Sequence, residues 1–216
     1  MITIVVAATK GGVGKSTLAA CLAVCAAQND RATVIDLDPQ QSVEFWHARR
    51  GRKNRYPFIA KGVSHNDLSE RLNEIARSGH KYTIIDTPPA MLDVISAAIY
   101  EADFVVIPVK ASALDITAIN VTVDICQEYD RPFGFVLNDV ESRWKITESA
   151  LDALSTMGPV LGTVAHREAY VTAMTVGRSG PETADNKKAA DAKSEIDTLW
   201  AAVLDAARDA VEIEEN

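Results

Sequence analysis

Residues 9 to 17 read Thr-Lys-Gly-Gly-Val-Gly-Lys-Ser-Thr, a run whose residue types and spacing suit one kind of chemistry, the binding of a polyphosphate. Gly11, Gly12 and Gly14 remove Cβ atoms where backbone N–H groups must approach phosphate oxygens, and they accept the positive φ angles that turn successive amides toward one anion. With Val13, Lys15, Ser16 and Thr17 they form a nest in which Lys15 neutralises β and γ oxygens and the Ser16 hydroxyl ligates Mg²⁺. An ordinary phosphate loop needs only the lysine before Ser16. Here Lys10 is a second one, and Thr9 stands five residues before Gly14, where the usual pattern has glycine.

Further polar residues end apolar runs. Arg31-Ala-Thr-Val-Ile-Asp-Leu-Asp reads as a buried strand closed by Asp36 and Asp38. Being two apart, they share one side of the pleat, at the strand end where open α/β sheets gather their ligands. Each also reads as a cap for a helix beginning near Gln40. Tyr82-Thr-Ile-Ile-Asp86 is a similar run, and Asp86 is placed to hold Mg²⁺ directly or through water, as phosphoryl transfer requires. Thr87, Pro88 and Pro89 then make a stiff turn that cannot continue a strand. That turn suits a sensor of the γ-phosphate, or simply ends the strand. Asn138 closes the run that begins at Phe133 and suits a turn tolerant of left-handed geometry.

The elements that must position these groups follow from periodicity. Ile2–Ala8 is short, apolar and rich in β-branched residues, as a central parallel strand should be. From Ser16 onward Leu18, Cys21, Leu22 and Cys25 recur at helical spacing, so the loop opens a helix whose N-terminal amides also face the anion. Asp103–Val109 gives another strand and leads through Ala111–Asp115 into a helix reaching about Tyr129. A last helix, from about Glu182 to Val211, carries Ile196, Leu199, Trp200, Val203 and Leu204 as a core stripe. This unbroken alternation predicts one α/β domain over residues 1–216, a doubly wound, mostly parallel sheet with helices on both faces; taken with the phosphate loop, it is expected to be a phosphate-loop NTPase sheet of about seven strands.

Composition narrows the class further. With 216 residues and 47% hydrophobic content the chain can bury a substantial core. The absence of a signal-like N-terminus or a transmembrane-length apolar stretch leads to the expectation of a cytoplasmic protein. Cys21 and Cys25 lie one helical turn apart and Cys126 is distant, an odd trio without metal spacing that reads as reduced core cysteine. A net charge of −8 argues against a protein that coats DNA through its overall field. Local charge is the exception: Arg49, Arg50, Arg52, Lys53 and Arg55 form a basic run, and Lys187, Lys188 and Lys193 a weaker one. Either is a phosphate-binding patch or a solvated surface.

The Thr9–Lys10 departure resembles the deviant Walker A motif of the ParA/MinD superfamily of ATPases, and the resemblance spans nearly the whole chain. It implies ATP and Mg²⁺ as ligands and an ATP-bound homodimer in which Lys10 reaches the nucleotide of the other subunit. It further implies that Asp38 orients the attacking water, that Asp36 and Asp86 sit near the metal with Ser16, and that Asn138 hydrogen-bonds adenine. The stretch Gly162–Arg178 is similar to the element that lines the base pocket and adjoins a DNA-binding surface, which makes Arg167 and Arg178 the candidates for DNA contact. The chain looks like the small ParA type, without a helix-turn-helix extension. The implied role is nucleoid-associated plasmid partition, chromosome segregation or other cargo positioning: non-specific DNA is bound with ATP and released when a ParB-like or other cargo adaptor stimulates hydrolysis. The acidic end Glu212-Ile-Glu-Glu-Asn is a poor match for anionic lipid, which makes a membrane partner unlikely in this reading. A MinD-like membrane positioner and an ATP-dependent ligase of the dethiobiotin synthetase type stand as alternatives.

Overall fold

The apolar runs that read as strands are strands, and their alternating side chains build two cores on opposite faces of one sheet. A computed structural model describes residues 1–51, 56–141, 145–182 and 187–214. In chain order the elements are β1 (Ile2–Val6), α1 (Lys15–Ala26), β2 (Ala32–Asp36), α2 (Ser42–Arg49), β3 (Phe58–Ala60), α3 (Leu68–Arg77), β4 (Tyr82–Asp86), α4 (Leu92–Tyr100) and β5 (Phe104–Val109). There follow α5 (Ala113–Ala118), α6 (Asn120–Glu128), β6 (Phe133–Val140), α7 (Lys145–Ser155), β7 (Val160–Ala165), α8 (Glu168–Thr175) and α9 (Lys187–Glu214), with one-turn helices at His65–Asp67 and Gly180–Glu182.

The seven strands lie in the order β3-β2-β4-β1-β5-β6-β7, and every described pairing is parallel. Such a sheet must be covered on both faces, which explains the continuous apolar strand sequences. Val5, Ile35, Ile85, Ile107 and Phe135 pack one face against α3, α4, α6 and α7. Ile4, Val34, Ile84, Val106 and Val136 pack the other against α1, Trp46 of α2, Tyr170 of α8 and the Ile196–Leu199–Val203 stripe of α9. The three cysteines are buried and none forms a disulfide.

Several element boundaries differ from those the sequence suggests. β3 is a three-residue edge strand too short to show periodicity, and β7 lies in the Gly162 stretch read as a pocket-lining tail. The helix expected to run to about Tyr129 is two helices that meet at Ile119. The last helix starts at Lys187, because Glu182 belongs to a separate turn held by Arg50, whose guanidinium meets both Glu182 carboxylate oxygens at 2.6 and 2.8 Å. Arg52, Lys53 and Arg55 of the basic run lie outside the described residues, as do the side chains of Lys187 and Lys188.

Candidate nucleotide site

β1 is central, and the loop after it emerges between strands that connect in opposite directions, the usual ligand crevice of an open parallel sheet. Gly12 and Gly14 adopt left-handed backbone, with φ of 76° and 93°, and Gly14 caps α1 without any side chain. A Cβ on Gly14 would also lie 2.2 Å from the Asn138 amide nitrogen, so the position is closed to larger residues twice over. The first turn of α1 therefore presents its free N–H groups to an anion. Lys15, only 6% exposed, folds back so that its ammonium donates to the Lys10 carbonyl at 3.1 Å. Burial lowers its pKa, while the charges of Asp86 and Asp38 act in the other direction.

The two departures from the ordinary loop share one partner element. The Thr9 hydroxyl donates to the Ala118 carbonyl of α5 at 3.2 Å, and the Lys10 ammonium pairs with Asp115 of the same helix. Asp115 is buried and is held by Ser112, the helix cap, whose hydroxyl also accepts from the Asp115 N–H at 3.1 Å. Lys10 and Ser112 hold the Asp115 carboxyl below the usual carboxylate range despite its burial. On the other side, the Ala90 N–H donates to the Thr9 carbonyl at 3.0 Å, with Ala90 itself left-handed at φ 55°. The Thr87–Pro89 turn is thus fastened to the residue just before Lys10.

The three strand-end aspartates differ in what holds them. Asp36 accepts N–H bonds from Asp38 at 3.0 Å, Val43 at 2.8 Å and Glu44 at 3.1 Å, so its carboxylate seats the start of α2. Asp38 is half-buried and accepts from the Gln40 N–H at 2.8 Å. Asp86 is fully buried, and neither of its oxygens meets a hydrogen-bond partner of normal geometry. Burial pushes its carboxyl up to about 8, opposed by the Ser16 hydroxyl and the Lys15 charge. An unsatisfied buried carboxylate is costly. A hydroxyl, a carboxylate and the oxygens of a bound phosphate are the hard ligands Mg²⁺ prefers, so this donor set fits that ion.

Beside the loop lies a cleft with an apolar floor, built from Leu18, Cys21, Val164, Tyr170 and Ile196, and a polar rim. Asn138 is inside β6 rather than at its end, and its amide donates to the Val13 carbonyl at 2.7 Å. The strand bulges at the next residue: Asp139 has φ 61° and its carboxylate meets Lys110 at 2.7 Å and His166 at 2.5 Å. Arg167 also lines this cleft and is held at 3.3 Å by Glu195 and 3.8 Å by Asp191, whereas Arg178 lies exposed. Sequence reasoning missed Lys110, Asp139 and Glu195, and placed His166 only as part of the Gly162–Arg178 stretch. The Asn138-Asp139 pair carried a weak signal, since both residues tolerate left-handed backbone; Glu195 carried none.

Residues 4–179 match the family model of the CobQ/CobB/MinD/ParA nucleotide binding domain. The chain belongs to this ParA/MinD superfamily. Its phosphate nest, Asp86 and Asn138 all fall inside the matched segment. The maintenance of carboxysome distribution protein A of Halothiobacillus neapolitanus is 28% identical over 185 residues, covering 82% of this chain and 85% of that protein. Among solved structures, a complex of Cyanothece McdA(D38A) with ATP superposes with a TM-score of 0.73 at 20% identity, covering 95% of this chain and 96% of that one. A chain of the Aquifex aeolicus MinC:MinD cell division protein complex gives 0.77 at 17% identity, with the same two coverages. At these identities the structures establish the fold of a ParA/MinD ATPase domain and nothing finer.

Proposed function

We propose that this chain is an ATP-driven positioning switch of the ParA type, which dimerises on ATP, holds non-specific DNA in that state and lets go after hydrolysis stimulated by a cargo adaptor. One observation carries the reading: the Lys10 ammonium is engaged by the buried Asp115 of α5, outside its own phosphate loop, and stays 42% exposed. A lysine serving its own nucleotide would point inward, as Lys15 does. The segments that hold Thr9 and Lys10 also expose apolar side chains. Leu114 beside Asp115 is 78% exposed, and Leu92 and Met91, next to the Ala90 that bonds Thr9, are 48% and 39% exposed. Exposed apolar side chains on the two segments that hold Thr9 and Lys10 suit a face that another protein covers.

In this reading the loop amides and Lys15 clamp the phosphates, Asn138 faces the base, Asp38 orients the attacking water and the partner subunit's copy of Lys10 completes the charge around the γ-phosphate. Ser16 and Asp86 would hold the Mg²⁺ that accompanies ATP, which would supply charge neutralisation to the phosphates. Asp36, whose carboxylate accepts three amides and seats the start of α2, sits near the metal as the resemblance implies. The relative named for carboxysome distribution supports a protein body as cargo, and the ParA resemblance supports plasmid or chromosome partition; the nucleotide machinery is the same for each.

Light scattering with Mg·ATP tests the reading. The wild-type chain is expected to shift from monomer to dimer and to turn ATP over. Lys10→Ala should keep ATP binding within a few-fold yet lose dimer and turnover, while Lys15→Ala should weaken ATP binding at least about tenfold. Asp38→Ala should accumulate as an ATP dimer. A Lys10→Ala protein that dimerises and hydrolyses normally would end the case for a lysine acting across subunits.

A further inference from the structure

The cleft beside the phosphate loop owes its far wall to a residue of the last helix. Glu195 of α9 is only 15% exposed in its side chain, and its carboxylate gathers three groups that all line that cleft. It accepts the backbone N–H of Ala165 at 2.9 Å, the Tyr170 hydroxyl at 2.5 Å and the Arg167 Nε at 3.3 Å. Ala165 ends β7, the neighbour of the strand that carries Asn138, and Val164 is paired with Asn138 itself. Tyr170 is clamped a second time by Gly180, whose backbone lies so close that a Cβ there would come within 2.4 Å of the ring. Ile196, the next residue of α9, lines the floor of the same cleft.

We infer that Glu195 is a positioning residue for nucleotide recognition, which fixes the wall facing the nucleoside and leaves the phosphate nest to the loop. A half-free loop between β7 and α8 would have to order itself when a nucleoside enters, and a loop already fastened by a buried carboxylate does not bear that cost. The same interaction accounts for Arg167: its guanidinium serves the wall rather than a DNA phosphate. Burial and the Glu195 carboxylate push the Tyr170 phenol above its ordinary range, so it remains a proton donor to Glu195. This inference rests on the nucleotide reading of the site.

The test compares two ligands that share phosphates and differ in the nucleoside. Calorimetric titrations of the full chain with Mg·ATP and with Mg·tripolyphosphate would be run on wild type, Glu195→Ala, Glu195→Gln and Tyr170→Phe. Glu195→Ala is expected to weaken Mg·ATP about tenfold or more and to leave Mg·tripolyphosphate within about twofold, since removal of a charged acceptor falls on the nucleoside side alone. Glu195→Gln keeps an acceptor for Ala165 and Tyr170 and should recover most of that affinity; Tyr170→Phe should weaken Mg·ATP roughly threefold. Equal weakening for both ligands, or an unchanged Mg·ATP affinity in folded Glu195→Ala or Tyr170→Phe protein, would overturn the assignment. If Glu195→Ala does not fold, the Gln and Phe variants decide it by the same comparison. Wild-type protein that binds tripolyphosphate but gains nothing from the nucleoside overturns it too; wild type that binds neither ligand removes the nucleotide reading beneath it.

Discussion

Lys10 and Thr9 depart from the usual phosphate loop, and both are fastened to α5, the lysine through Asp115 and the threonine through the Ala118 carbonyl. In the isolated chain Lys10 is therefore parked in cis. In the proposed switch, acting on another subunit's phosphates requires Lys10 to leave Asp115, so the pair would oppose dimerisation by whatever it is worth. With Lys10 nearly half exposed, that is the modest value of a partly solvated pair, about 0.2–1 kcal/mol. Asp115→Asn keeps the size and the Ser112 hydrogen bond while removing the charge. It is expected to lower the ATP concentration needed for half-maximal dimer by up to about fivefold, measured by light scattering across an ATP titration. A higher requirement would mean that Asp115 orients Lys10 for its task. The identity of these residues was legible in the sequence, because glycine, lysine and hydroxyl types in that spacing have few other uses. The cis partner was not, because the bond to Asp115 spans about a hundred residues and no local pattern encodes it.

At the scale of elements, the strand runs and the first helix could be read because burial on both faces writes itself as continuous apolar sequence. β3 could not, being a three-residue edge, and α9 could not be started correctly because its preceding turn is fixed by tertiary interactions. Those interactions centre on Arg50, whose side chain is 2% exposed. It forks onto Glu182, donates to the Gly177 carbonyl at 3.1 Å and stacks 4.7 Å over Trp46, whose indole N–H bonds the Arg178 carbonyl at 2.8 Å. This node joins α2, seated by Asp36, to the turn that follows α8. Arg50→Ala removes one partner of a buried pair and is expected to cost about 3 kcal/mol, or roughly 6–12 °C in melting temperature. Its pH dependence has a defined sign. Arg50 and the Ser179 amide and hydroxyl hold the Glu182 carboxyl below its ordinary 4.5, against the effect of burial. The folded pKa is lowered, so the stabilisation is fully present above pH 4.5 and fades as pH falls through the folded value. The melting-temperature gap between wild type and Arg50→Ala should therefore narrow below pH 4.5; a gap that stays constant down to pH 3 would assign it to packing on Trp46 alone.

For the whole molecule, a net charge of −8 means that DNA can be held only by a local basic surface. Sequence alone gives Arg167 and Arg178 equal standing. The structure separates them: Arg167 is engaged by Glu195 and Asp191 in the cleft wall, and Arg178 is exposed beside the turn that Arg50 fastens to α2, close to the exposed Arg49. The two charge reversals should therefore fail differently. Arg178→Glu is expected to weaken ATP-dependent binding of unrelated duplexes with ATP affinity intact, and to make the salt dependence shallower by roughly 0.9 in log–log slope for each phosphate left without its cation. Arg167→Glu should lower ATP affinity first and DNA binding only in consequence. Fluorescence anisotropy with two duplexes of unrelated sequence, run from low to moderate salt with and without Mg·ATP, distinguishes the cases. Among the described residues no helix is long and apolar enough to cross a membrane. Peripheral attachment is a separate question that sedimentation with anionic vesicles answers. Mg·ATP-dependent recovery in the lipid pellet, without ATP-dependent DNA binding, would exchange the DNA-tethered switch for a membrane-tethered one, built on the same Lys10 face.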